Sequence, residues 1–65
     1  MRAYLEYRMT QENVSRADIQ SALGVSEKTV RNKISGATDF SWEEARIIKN
    51  KFFPKDDFDA LFENE

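Results

Sequence analysis

Apolar residues recur at helical spacing through this chain, in five groups separated by short polar breaks. Leu5 and Met9 stand four apart within residues 1 to 12, where Arg2, Glu6, Arg8 and Glu12 fall mostly toward water. Asn13 ends this first helix, because asparagine takes the left-handed C-terminal conformation at low cost. A second helix follows, with Ile19, Ala22 and Leu23 facing inward. Its start is marked by Ser15 with Asp18 three residues on, and Val14 and Ile19 flank the cap as a hydrophobic staple. Gly24 supplies the left-handed reversal after it. The construction then repeats, with Val25 before the cap Ser26, Val30 in the next turn, Ile34 one turn further and Gly36 as the stop.

Ser41 and Glu44 form a capping box ahead of a fourth helix whose core stripe is Ala45, Ile48 and Phe52. Pro54 pushes Phe53 out of the helical region and breaks it. The same proline is expected to serve the first turn of a fifth helix, with Asp56, Asp57 and Asp59 set against its dipole and Phe58, Leu61 and Phe62 buried. Most of the aromatics between Phe40 and Phe62 read as core, and Trp42, Ile47 and Phe53 are expected to be left at the surface, where they would suit a homodimer contact. No linker, repeat or low-complexity stretch divides these groups. The expectation is an all-α, compact five-helix domain over residues 1 to 65, with a helix-turn-helix at residues 15 to 35.

Composition narrows the chemistry. A chain of 65 residues buries only about 60% of the surface that it exposes when unfolded. With no cysteine, neither a disulfide nor a thiolate zinc site can compensate. Histidine is absent too, so nucleophile-and-base pairs would have to come from carboxylates, lysines or hydroxyls. Glu43 and Glu44 are adjacent on a helix and diverge by ~100°. Asp56, Asp57 and Asp59 lack the glycine and terminal glutamate of a calcium loop, and no glycine-rich phosphate loop occurs. These features predict a protein that is not an enzyme and takes no metal, cofactor or small-molecule substrate. With no apolar run long enough for a membrane span and no leader-like N-terminus, a cytoplasmic setting without membrane partners is expected.

The net charge of -2 is unlike the usual basic footprint of a nucleic-acid binder. Its distribution is uneven. Residues 54 to 65 hold Lys55 against Asp56, Asp57, Asp59, Glu63 and Glu65, whereas from Ser15 to Phe53 seven basic residues face five acidic ones. On the third helix, Lys28, Asn32 and Ser35 cluster opposite Val30 and Ile34, flanked by Thr29 and Arg31. Such a face is what any amphipathic helix turns to solvent. It also holds the side chains that read a DNA major groove: arginine or lysine on guanine, asparagine on adenine, threonine on the thymine methyl.

The run Ile19-Gln20-Ser21-Ala22-Leu23-Gly24-Val25-Ser26-Glu27-Lys28-Thr29-Val30 resembles the helix-turn-helix of the lambda repressor and Cro class, the xenobiotic-response-element family. Asn32-Lys33-Ile34-Ser35-Gly36 and Phe40-Ser41-Trp42-Glu43-Glu44 are similar to small phage proteins of that class, so the likeness covers nearly the whole chain. It implies a transcriptional regulator that binds double-stranded operator DNA and excludes or recruits polymerase. It further implies that Ser26, Glu27, Lys28, Arg31 and Asn32 face bases, that Arg16 touches a phosphate or supports a base contact, and that Lys33 and the loop after Gly36 lie near the backbone. Two positions depart from the pattern. Gln20 stands where the family usually has a small residue, and Asp39 puts a carboxylate in the phosphate-facing loop. These departures and the acidic end leave a second reading open, a protein-interaction module on the same scaffold with no sequence-specific DNA binding.

Overall fold

Five helices and no strand make up residues 2–63, which the computed structural model describes: α1 (Ala3–Gln11), α2 (Arg16–Leu23), α3 (Glu27–Ser35), α4 (Trp42–Phe52) and α5 (Phe58–Phe62). Met1, at the start of the expected first helix, and Asn64 and Glu65, in the expected acidic end, lie outside the described residues. The extents are 26 × 23 × 21 Å. α2 packs on α3 and on α4, and α5 packs on α1 and on α4. Leu5, Met9, Ile19, Val30, Ile34, Ile48, Phe53 and Leu61 form one buried cluster where these helices meet. Among the described residues no helix is long and apolar enough to cross a membrane.

Each helix boundary has a local cause. α1 closes through a Schellman motif: Asn13 sits at φ 57, its N–H donates to the Thr10 carbonyl and the Val14 N–H to the Met9 carbonyl at 2.8 Å. The Ser15 hydroxyl accepts from the Asp18 N–H while the Asp18 carboxylate accepts from the Ser15 N–H, the capping box read from sequence. Gly24 and Gly36 are both left-handed, at φ 69 and 93, and bound the two ends of the turn-and-helix unit that carries α3. α2 and α3 are thus joined by the three residues Gly24, Val25 and Ser26, as a helix-turn-helix requires.

Several positions differ from expectation. Arg2, expected in water, is 3% exposed. It precedes α1, its N–H donates to the Ile34 carbonyl at 3.2 Å, and its guanidinium lies over the Phe40 ring, 5.3 Å from the centroid. Arg8 is half-buried because it pairs with Asp56 at 2.7 Å and lies over Phe53. Phe53, expected at the surface, is 2% exposed and the largest fully buried side chain. Its backbone (φ -136, ψ 56) has left the helix, so helical spacing no longer fixes where its ring points. Trp42 is exposed as expected, whereas Ile47 is half-buried, and so is Phe52 of the core stripe. Pro54 does not open α5. The Asp56 N–H turns back to the Phe53 carbonyl, and α5 starts at Phe58 under the cap Asp57, which accepts from the Ala60 N–H. Ala22, Leu23, Phe58 and Phe62, expected inside, are half-buried.

Candidate nucleic-acid interface

The orientation of α3 follows from its inner stripe. Val30 is fully buried and Ile34 nearly so, which turns the opposite side of the helix outward. The Ser26 hydroxyl caps the helix by accepting from the Thr29 N–H, and it also meets the Thr29 hydroxyl at 2.9 Å. Ser26, Glu27, Lys28, Arg31 and Ser35 are exposed, while Thr29, Asn32 and Lys33 are half-buried; Arg16, on α2, is exposed. A nine-residue helix is about 14 Å long, enough to follow about four base pairs.

These side chains differ in what already holds them. Arg16 and Lys28 have no hydrogen-bonding or ionic partner among the described residues. Arg31 stands 3.9 Å from Glu27, both well exposed, a contact of little energy that a stronger anion would displace. Ser35 donates its hydroxyl to the Asn32 carbonyl, which also accepts the Thr38 N–H, so the loop after Gly36 is folded back on the end of the helix. A single hydrogen bond joins the Ser26 and Thr29 hydroxyls, so one O–H donor of the two stays unused.

Arg16 and Arg31 wall one open depression between α2 and α3, together with Glu6, Ile34 and Ser35. A neighbouring depression shares Glu6, Arg16 and Ile34 and runs on to Met9, Thr10 and Val14. Sequence reasoning missed Glu6. Spacing along α1 places it outward, but the tertiary fold, in which the Arg2 N–H meets the Ile34 carbonyl, sets it in one depression with the two arginines. The carboxylate lowers the positive potential of that depression.

Lys33 is placed differently from the other candidates. Its ammonium donates to Glu44 Oε1 at 2.8 Å and to the Asp39 carbonyl at 2.9 Å, so it ties α3 to the start of α4 and to the loop. Burial pushes the Glu44 carboxyl up, but hydrogen bonds from Lys33 and from the Ser41 backbone outweigh it and hold the group below the ordinary carboxylate range. Asp39, the acidic departure in the loop, is bonded to Arg2 at 3.1 Å with its own side chain 86% exposed. The loop therefore faces outward with its carboxylate partly neutralised from behind. Gln20 is half-buried, and its amide is not stranded as a buried atom without a partner.

Glu44 and Arg2, like Glu6, were not among the sequence candidates. Glu44 had a signal, its place in the capping box, which gave its role on α4 but not its pairing with α3. Compared with known proteins, the chain matches no family model, no curated protein sequence and no solved structure.

Proposed function

We propose that this protein is a sequence-specific regulator that binds double-stranded operator DNA, in the manner of lambda repressor and Cro proteins, with α3 in the major groove. The observation that carries the reading is the division of α3: Val30 and Ile34 are locked in the core, while Lys28 and Arg31 stand exposed on the same helix, with Arg16 sharing Arg31's depression. In that placement Lys28 and Arg31 donate to guanine edges and Asn32 pairs with adenine, while Ser26, Glu27 and Thr29 stand at the leading end of the helix. Glu27 accepts from a cytosine amine there, at the expense of its weak contact with Arg31. Arg16, at the first turn of α2, takes a backbone phosphate, with Ser35 near the trailing end. Lys33 acts from inside, holding the loop and α4 against α3 rather than reaching the duplex itself.

Few contacts come from one short helix, so two copies on a palindrome would multiply affinity and fix half-site spacing near one helical turn. Selection from a random duplex library at low salt tests the reading directly. Enrichment of a short site, protected on its major-groove edges, is the expected result. A library returned without any enriched sequence overturns it, and leaves the scaffold to the protein-interaction reading.

A further inference from the structure

We propose that the outer side of α5, together with Trp42, is a docking surface for an arginine-bearing segment of a protein partner. The core does not cover all of the aromatics. Trp42 is 68% exposed although it is the largest side chain in the protein, and its ring lies 5.0 Å from that of Phe58. Phe58 continues to Phe62 at 5.2 Å, and Phe62 to Phe40 at 5.3 Å, a chain of rings from the surface to the edge of the core. Phe58 and Phe62 also line an open depression whose remaining walls include Asp57, Asp59 and Glu63, with no lysine or arginine among the lining residues. Aromatic faces beside carboxylates are what a guanidinium takes, since it stacks on the ring while its N–H groups bond the acids.

Charge decides among the occupants. From Asp56 to Glu63 the chain carries four carboxylates and no cation, and among the described residues only Asp56 is ion-paired, with Arg8. A second copy paired two-fold through this same face would bring like charges together, and a nucleic-acid backbone would be repelled. A cationic segment is the complement. α5 packs on α1 and α4, whereas α3 packs on α2, so the surface is built from different helices than the reading face and does not depend on the DNA reading.

Trp42 is the only tryptophan, which makes its emission a report from the patch itself. The experiment titrates the intact protein with hexa-arginine, hexa-lysine and hexa-glutamate at about 0.1 M salt, where charges more than ~10 Å apart are largely screened. It follows Trp42 emission and backbone amide shifts by nuclear magnetic resonance. Saturable quenching is expected with hexa-arginine, weaker with hexa-lysine and absent with hexa-glutamate, with the shifted amides confined to Trp42 and residues 57 to 63. Asp59→Asn with Glu63→Gln leaves the cap Asp57 intact and should weaken hexa-arginine binding about tenfold, as should Trp42→Ala read by amide shifts. Shifts scattered over every acidic residue, or affinities unchanged in the double variant, overturn the proposal. So does a dimer in sedimentation that Trp42→Ala dissociates, which assigns the face to a second copy, or movement of the same amides by duplex DNA.

Discussion

Lys33 and Glu44 meet at 2.8 Å between α3 and α4, and the oxygen that Glu44 gives to Lys33 is the one that also accepts the Ser41 N–H. One carboxylate therefore starts α4 and anchors the far end of α3. Both side chains are largely buried, 15% and 21% exposed, so the pair is screened less than a surface contact. Lys33→Met keeps the stem and removes the charge; it should lower stability by about 1.5–3 kcal/mol, the range for a hydrogen bond to a charged group, measured by urea denaturation.

The same pair makes stability depend on pH. Glu44 is held below its ordinary range when folded and returns to about 4.3 when unfolded. Its contribution is thus fully present above about pH 4.3 and is lost as the pH falls through the lower folded value. Glu44→Gln retains a capping-box residue but does not titrate. Between about pH 5 and pH 3 the urea midpoint of the parent should fall more steeply than that of Glu44→Gln. Parallel slopes would assign the acid sensitivity to other carboxylates.

Arg2 and Asp39 form an unequal pair, one side chain 3% exposed and the other 86%. Two nitrogens of Arg2, Nε and Nη1, are buried without a hydrogen-bond partner among the described residues. Breaking the pair from the exposed side leaves a buried cation, and Asp39→Ala should cost about 1–3 kcal/mol. Arg2→Met fills similar space over Phe40 and removes the unpaired groups, so its stability should stay within about 1 kcal/mol of the parent. Thermal melts of the two variants compare these costs directly.

How much of this was legible follows from the range of each interaction. Ser15, Ser26, Ser41, Asn13 and Gly24 act within a few residues of themselves, and their caps and turns sit where the sequence puts them. Val30 and Ile34 are likewise buried as their spacing requires. Arg2 to Asp39, Arg8 to Asp56 and Lys33 to Glu44 span 37, 48 and 11 residues, and helical spacing carries no information about such partners. Phe53 is buried rather than left at the surface for a related reason: its backbone has left the helix, and a surplus of aromatics does not say which ring the core takes in. On the candidate face, Lys28 and Arg31 are exposed as periodicity predicts, while Lys33 was drawn inward by a carboxylate on another helix.

Gly24 isolates a backbone cost. A methyl group added there would meet nothing within 4 Å, yet φ is 69. Gly24→Ala should therefore destabilise by about 1–2 kcal/mol through the left-handed conformation alone, and Gly24→Asn by less. By contrast, Asn13→Gly should shift the melting temperature little, because asparagine already takes φ 57 at low cost and glycine loses more freedom on folding. A Gly24→Ala protein as stable as the parent would mean that the turn adopts another conformation in solution.

Arg16, Arg31 and Lys33 should separate in DNA binding because the structure holds them differently. Arg31 is 56% exposed and only weakly engaged with Glu27, so Arg31→Ala should cost about 1–3 kcal/mol on the selected site and relax choice at one base. Arg16, with no partner to release among the described residues, should act on all sequences alike; Arg16→Ala should lower the slope of log affinity against log salt by about 1 per copy bound. Lys33→Met, after correction for the fraction folded, should leave that slope unchanged, because its ammonium is spent on Glu44 and the Asp39 carbonyl. A drop of about 1 for Lys33→Met would show that the duplex competes Lys33 away from Glu44, and the end of α3 would then lie closer to the phosphates than the pairing implies.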